Sequence, residues 1–359
     1  MKVRLSDVAY EVSERWNGSK AGVPIVGLEH LEPDELCVRK WDVDPDETTF
    51  SKAFKKGQIL FGRRRAYQKK LSIATCDGIC SGDITVIAAK EDKILPELLP
   101  FYLRAERFFD YAIQGSNGSL SPRVKWAHLA SYEFELPSIS RQREMGEVLW
   151  GANRLKEAYK GMVEATDEML KAKFREMFEE GSHPRVKLGD VCEEVHERIS
   201  SSKISISDYV TTENMVKDRG GIIIAASIPS DVGLVHYEIG DVLVANIRPY
   251  LKKIWLADKG GGCSNDVVAF RSKYDKLSPK YLYAALSQDA FFNYVMCKSR
   301  GTKMPRGDRA WMKLYEIPLP PLSVQREFVK IAEGAEVTKV NLKKSIRDVD
   351  GIIRGLING

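Results

Sequence analysis

The sequence predicts an α+β protein built as a pseudo-twofold internal repeat, with two tandem mixed α/β domains separated by two long helices that form an antiparallel coiled coil. Three observations predict it. One offset carries the first half of the chain onto the second, each copy contains short β-rich runs punctuated by glycine, and each ends in a long heptad stripe. The composition permits this: 359 residues, 43% apolar and 29% charged, are enough for two ordinary cores and exclude disordered or collagen-like chains. No apolar run reaches the roughly 18 residues of a membrane span, and Met1–Asp7 lacks the hydrophobic centre of a signal peptide, so a cytoplasmic protein without membrane partners is expected. Six scattered cysteines (Cys37, Cys76, Cys80, Cys192, Cys263, Cys297) then read as buried thiols, not as a disulfide framework.

The repeat fixes the domain organisation. Val3–Val12 reappears 183 residues later as Val186–Val195. Phe54–Lys90 falls on Tyr237–Lys273 without a gap and with 12 identities in 37 positions, and Gly118–Glu144 falls on Gly301–Glu327 with 12 in 27. A unit this long is a domain plus a connector, not a solenoid repeat. Domains are expected at 1–138 and 181–321, with one long helix through 139–180 and another through 322–359. The copies diverge most over 13–53 and 196–236.

Within each copy the runs Gln58–Phe61, Leu71–Thr75 and Asp83–Ala88, matched by Asp241–Ala245, Ile254–Ala257 and Asp266–Phe270, read as strands. Pro96–Ile113 and Pro279–Met296 read as helices begun by proline. A proline stop follows, Glu135–Ser138 or Ile317–Leu322, with Ser140 or Ser323 as the expected N-cap of a long helix and Glu144 or Glu327 placed well for its dipole. In the second copy the core positions run Phe328, Ile331, Ala335, Thr338, Leu342, Ser345, Val349, Ile352 and Leu356. The first copy keeps that register in Met145, Val148, Ala152, Leu155, Tyr159, Met162, Thr166 and Met169. About 38 helical residues reach roughly 57 Å, more than a small domain needs for itself. Two stripes in matched register most simply pair with each other, in antiparallel sense.

Catalytic chemistry is missing from the sequence. Gly57–Gly62 has the spacing of a phosphate loop, but Arg63-Arg64 stands where Lys-Ser/Thr is needed. No Gly-x-Gly-x-x-Gly loop and no Asp/Asn-Pro-Pro-aromatic tetrapeptide occurs. Glu91-Asp92-Lys93 has the form of a nuclease motif, yet its counterpart is Tyr274-Asp275-Lys276. Cys76 and Cys80 lack a second ligand pair at zinc spacing, and the five histidines stand alone. No catalytic, cofactor or metal residue is therefore expected.

Basic chemistry is present and concentrated. The net charge is only +5, but Lys52–Lys70 holds eight basic residues and no acidic one, among them Arg63, Arg64, Arg65, Lys69 and Lys70 around Tyr67. The second copy keeps Arg248, Tyr250, Lys252 and Lys253, so both share Arg-x-Tyr-x-Lys-Lys between two strands. Another cluster holds Lys303, Arg306 and Arg309, opposite Arg123 and Lys125 in the first copy, and both copies keep Pro-Arg at 122–123 and 305–306. Cations on loops between strands suit phosphate, and arginine forks suit base edges.

The two domains, each ending in a Leu-Pro or Pro-Leu-Pro-Pro-Leu run and then Gln142-Arg143-Glu144 or Gln325-Arg326-Glu327 leading into a long helix, resemble the specificity subunit of type I restriction-modification systems. The resemblance covers nearly the whole chain. It implies two target-recognition domains, each reading one half of an interrupted, asymmetric site in double-stranded DNA, with the coiled coil fixing the gap. It also implies a non-catalytic, cofactor-free subunit that docks two methyltransferase subunits and, through them, restriction subunits. Arg63, Arg64, Arg65, Tyr67, Lys69, Lys70, Arg123 and Lys125 would then meet the first half-site. Arg248, Tyr250, Lys252, Lys253, Lys303, Arg306 and Arg309 would meet the second. Two other readings stay open from the residues alone: a self-contained DNA-modifying enzyme, or a two-domain coiled-coil spacer for protein partners.

Overall fold

A computed structural model describes residues 1–43, 48–118 and 121–358. Positions 44–47 of the first divergent segment, 119–120 of the third matching window and 359 of the last helix lie outside the described residues. In the first copy a four-stranded antiparallel sheet runs in the order Ala9–Val12, Ile84–Ala89, Ile59–Gly62, Leu71–Ile73. The second copy repeats it as Cys192–Glu194, Val267–Ser272, Val242–Ala245, Ile254–Leu256. The central strands Ile59–Gly62 and Val242–Ala245 are buried along their length because they carry Val, Ile, Leu and Phe on both faces. Each copy also closes its own ends: Lys2–Arg4 pairs with Glu133–Glu135, and Arg185–Lys187 with Glu316–Pro318.

The divergent segments share topology despite their sequences. Ile25–Val26 lies parallel to Gly78–Cys80 in one copy, as Tyr209–Val210 lies parallel to Gly261–Cys263 in the other. A lone bridge between Arg15 and Lys52 in the first copy occupies the register of the full pairing of Arg198–Ser200 with Gly233–Tyr237 in the second. The helical stretch expected at 96–113 is two helices, Leu99–Leu103 and Glu106–Gln114, and that at 279–296 is Pro279–Leu286 and Asp289–Cys297. The break falls where Ala105 and Gln288 turn extended to begin the second helix. Of the six thiols, Cys80, Cys192 and Cys263 are buried, and burial pushes each up to about 12. Cys37 and Cys76 are only half-buried and Cys297 is exposed, which corrects the reading of all six as interior.

Two compact units divide each long helix near its middle. One holds Met1–Lys160 and the chain from Lys343 onward; the other holds Gly161–Leu342. The long helices span Ile139–Phe174 and Leu322–Asn358. Ser140 and Ser323 therefore lie inside the first turn and are not N-caps; the helix-opening hydrogen bonds run to the Ser138 and Pro321 carbonyls. Within the first unit, Met145 and Leu149 share a core with Ile357, and Lys156 meets Asp350 at 2.6 Å, so the helix segments run antiparallel. Within the second, Phe174 and Phe178 pack on Phe328, with ring centroids 5.5 and 5.3 Å apart, and Lys339 meets Asp167 at 2.9 Å. These ion pairs are one pair written twice, because Lys156 and Lys339, like Asp167 and Asp350, are related by the repeat offset.

The heptad reading is right in one row and off by one residue in the other. Phe328, Ala335, Leu342 and Val349 are buried, as is Met145. The second row expected at the interface is exposed in Val148, Leu155, Met162, Met169 and Ile352. The next residue along packs instead, as Leu149, Lys156 and Val163 do in the first helix. Lysine accounts for this, since its aliphatic stem lines the interface while its ammonium reaches a carboxylate across it. Lys339 is mostly buried; burial lowers the pKa of its ammonium, but Glu336 and Asp167 outweigh that and raise it. Lys339→Asp and Asp167→Lys should each lower the thermal midpoint, and the double exchange should restore most of the loss, with a coupling of about 1 kcal/mol in a double-mutant cycle.

Candidate nucleic-acid interface

The shared Arg-x-Tyr-x-Lys-Lys motif folds as a turn between two antiparallel strands in each copy. Ala66–Gln68 and Pro249–Leu251 make a single 3₁₀ turn, bounded at both ends by residues in the left-handed region: Arg65 (φ 55°) and Lys69 (φ 53°), Arg248 (φ 51°) and Lys252 (φ 50°). Side chains with a Cβ adopt this conformation at a cost, so something must hold it. The Arg65 N–H donates to the Pro122 carbonyl at 2.8 Å and the Arg248 N–H to the Pro305 carbonyl at 2.7 Å, so the Pro-Arg of each copy anchors its turn through the main chain. Lys69 pairs with Glu106, and Lys252 with Asp289 at 2.6 Å. Lys70 donates to the Leu28 carbonyl and Lys253 to the Thr212 carbonyl, both at 2.6 Å.

These four lysines therefore fasten the turn to its domain. Arg123 is also engaged, with its Nε 2.7 Å from Asp83, where Arg64 meets the same carboxylate at 3.4 Å. Burial would raise the Asp83 carboxyl, but Arg123 and Arg64 outweigh it and hold it below its ordinary value. Arg306 repeats the contact on Asp266 at 3.1 Å. Arg309 departs from the pattern: it reaches Glu194 at 2.6 Å, as Lys313 does at 2.9 Å, and together they neutralise a buried carboxylate. What stays outward is Tyr67 and Tyr250 at the turn tips, together with exposed Lys125 and Lys303. Nε of Arg63, Arg65 and Arg248 is buried without a hydrogen-bond partner in the protein. The structure thus gathers Arg63, Arg64, Arg65, Tyr67, Lys69, Lys70 and Arg123 around one turn, with Lys125 just beyond. It gathers Arg248, Tyr250, Lys252, Lys253 and Arg306 around the other, with Lys303 on the adjoining hairpin. Arg309 lies one step away on its own carboxylate.

Sequence reasoning missed the acidic half of this arrangement. Asp83 with Asp266, and Glu106 with Asp289, obey the same 183-residue offset as the cations they hold, and that was the available signal. It also missed an open groove of about 520 Å³ beside Asp83, lined by Ser13, Glu14, Thr49, Ser51 and Ser81 among others. The divergent segments are pinned to the common frame by arginine from opposite sides. Arg104 donates to the Glu35 carbonyl at 2.7 Å in the first copy; Arg219 in the second donates to the Ser287 carbonyl, the position equivalent to Arg104. Among the described residues, Glu29, His30 and Asp42 and, separately, Glu197, His236 and Glu238 have the spacing of metal ligands. In the second group Arg271 already lies 3.7 Å from Glu197 and 3.3 Å from Glu238.

Comparison with known proteins agrees with this architecture. Residues 184–347 match the family model described as type I restriction modification DNA specificity domain. The type I restriction enzyme EcoDI specificity subunit of Escherichia coli is 29% identical over 113 residues, 32% of this chain and 25% of that protein, so the match spans about a quarter of the curated relative. A chain from a structure of complex assembly and conformational transition in the type I R-M system superposes with a TM-score of 0.55 at 18% identity, over 100% of this chain and 96% of that one. The type I restriction-modification S subunit from M. genitalium gives 0.53 at 12% identity, over 99% and 94%. These two likenesses concern the fold. Among the described residues no helix is long and apolar enough to cross a membrane.

The fastening of the second turn predicts a pH dependence. Burial opposes ionisation of Asp289, but Lys252 and Arg219 prevail and bring its carboxyl to about 2. Its contribution is complete above the ordinary carboxylate value near 3.8 and is lost as pH falls through about 2. With the side chain 41% exposed, the contribution is about 1 kcal/mol after solvent screening. Asp289→Asn should lower the melting midpoint by a few degrees at pH 7, and the two proteins should converge near pH 2.

Proposed function

We propose that this chain, a type I restriction-modification specificity subunit, recognises an interrupted, asymmetric site in double-stranded DNA, each domain meeting one half, and docks two methyltransferase subunits that in turn carry the restriction subunits. The observation that carries the reading is the duplicated basic turn: the same strained backbone, the same fastening and the same outward tyrosine occur in both copies. A spacer for protein partners would have no use for two preorganised cationic loops, and loops held in advance lose little entropy on binding. Such a subunit supplies recognition, while the chemistry belongs to its partners.

Docking finds support in the exposed row of the first long helix. Val148 and Leu155 in the first unit, and Met162 and Met169 in the second, lie open to solvent at seven-residue spacing. Small residues, Gly151, Ala158 and Ala165, alternate with them, which suits close approach by a partner's helix.

Mapping adenine methylation in the host genome with and without this gene should show one bipartite motif losing its methylation in the deletion strain; an unchanged pattern would sink the reading. Leu155→Glu with Met162→Glu should abolish co-purification of the methyltransferase subunits while leaving the thermal midpoint within a degree or two, because both positions are exposed.

A further inference from the structure

The turns bearing Tyr67 and Tyr250 are built alike, whereas the segments packed beside them are not. Each turn has two non-glycine residues at positive φ, an arginine N–H held by a proline carbonyl, one lysine on a carboxylate and the next on a backbone carbonyl. Strain at that many positions persists only where the surroundings over-determine it, and it marks a part kept for its shape. What the shape presents is one large side chain at the same point of both copies, with Tyr67 54% and Tyr250 49% exposed. Tyrosine is rigid, amphipathic and cheap to immobilise, which suits contact with a sugar and its phosphate. An identical tip offered to two different half-sites carries no information about either.

The neighbouring surface differs between the copies. In the first, the groove floor at Ser81 and Asp83 is walled by Ser13, Thr49 and Ser51, small hydroxyl side chains that can donate or accept at a base edge, beside the charged Glu14, Arg15 and Lys52. In the second, the floor recurs as Ser264 and Asp266, but the wall positions are His196, Val232 and Leu234. There Arg198, the counterpart of the Arg15 that lines the first groove, donates to Asn265 Oδ1 at 2.7 Å and to the Gly233 carbonyl at 3.3 Å. The groove adjoins the turn, because the Asp83 on its floor is the carboxylate that holds Arg64 and Arg123.

Resting on the DNA-binding reading, we propose that Tyr67 and Tyr250 grip the sugar–phosphate backbone of either half-site without discriminating sequence, and that the identity of the first half-site is read in the groove walled by Ser13, Thr49 and Ser51. The test is selection by the full chain, in complex with its partner subunits, from a pool of duplexes with a randomised core, followed by sequencing of the bound fraction. Tyr67→Ala and Tyr250→Ala should each reduce binding of all sequences about tenfold and leave the enriched motif unchanged. Thr49→Val and Ser51→Ala should change the motif in one half only. A motif altered by either tyrosine variant, binding unaffected by both, or a motif untouched by Thr49→Val and Ser51→Ala would each overturn the inference. Failure of the wild-type complex to enrich any motif would overturn the DNA-binding reading itself. The four positions all face solvent, so melting curves should stay at the wild-type midpoint.

Discussion

A buried glutamine amide fixes how each domain meets its long helix, and the remaining geometry depends on it. Gln142 is 2% exposed and Gln325 fully buried, and an interior amide must satisfy both its ends. The Gln142 carbonyl oxygen accepts from the Leu95 N–H at 3.0 Å, and its amide donates to the Pro137 carbonyl at 3.1 Å. Gln325 accepts from the Ser278 N–H at 2.9 Å and donates to the Lys276 and Pro320 carbonyls at 2.7 and 2.8 Å. The prolines bring a stiff strand end to the helix, and the glutamine locks that end against the loop before the paired helices. This gives a physical reason for the Pro-Leu-Pro-Pro-Leu-x-x-Gln pattern, since any side chain unable to both donate and accept would leave buried carbonyls unpaired.

What was legible in the sequence was whatever repeats or alternates. The 183-residue offset announced two copies, and the glycine-punctuated β-runs became the strands of matching sheets. The long helices were visible from their stripes. Their exact facing was not, because a stripe of apolar letters hides the contribution of Lys156 and Lys339, whose stems pack while their charges pair. The basic clusters were legible as composition but not as roles. Lys69 and Lys252 look free in the sequence, and the carboxylates that hold them, Glu106 and Asp289, lie 37 residues further along in each case. The divergent segments hid most of their common topology, since at the repeat offset they share only Glu14-Arg15 with Glu197-Arg198 and Ser19-Lys20 with Ser202-Lys203.

Electrostatics in this protein serve placement more than bulk attraction. Six of the cations that make the basic segments conspicuous, Arg64, Lys69, Arg123, Lys252, Arg306 and Arg309, are paired locally, with Asp83, Glu106, Glu194, Asp266 or Asp289. The modest net charge therefore describes a surface whose positive groups are oriented by acidic partners rather than spread. Exposed pairs of this kind add little stability one at a time, yet each removes a rotamer choice from a loop that must keep its shape.

The exchange of helix ends also governs how the chain comes into being. The core around Phe61, Phe108 and Leu149 includes Ile357, with Ile353 and Leu356 against it, and Arg107 donates to the Ile357 carbonyl at 3.0 Å. Those residues are synthesised after the whole of the second domain. The second domain, by contrast, receives Phe174 and Phe178 before its own strands have been made. Domains usually mature in the order of translation. Here neither core is complete until the carboxy-terminal helix has been made, since the second takes Phe328 from it as the first takes Ile357.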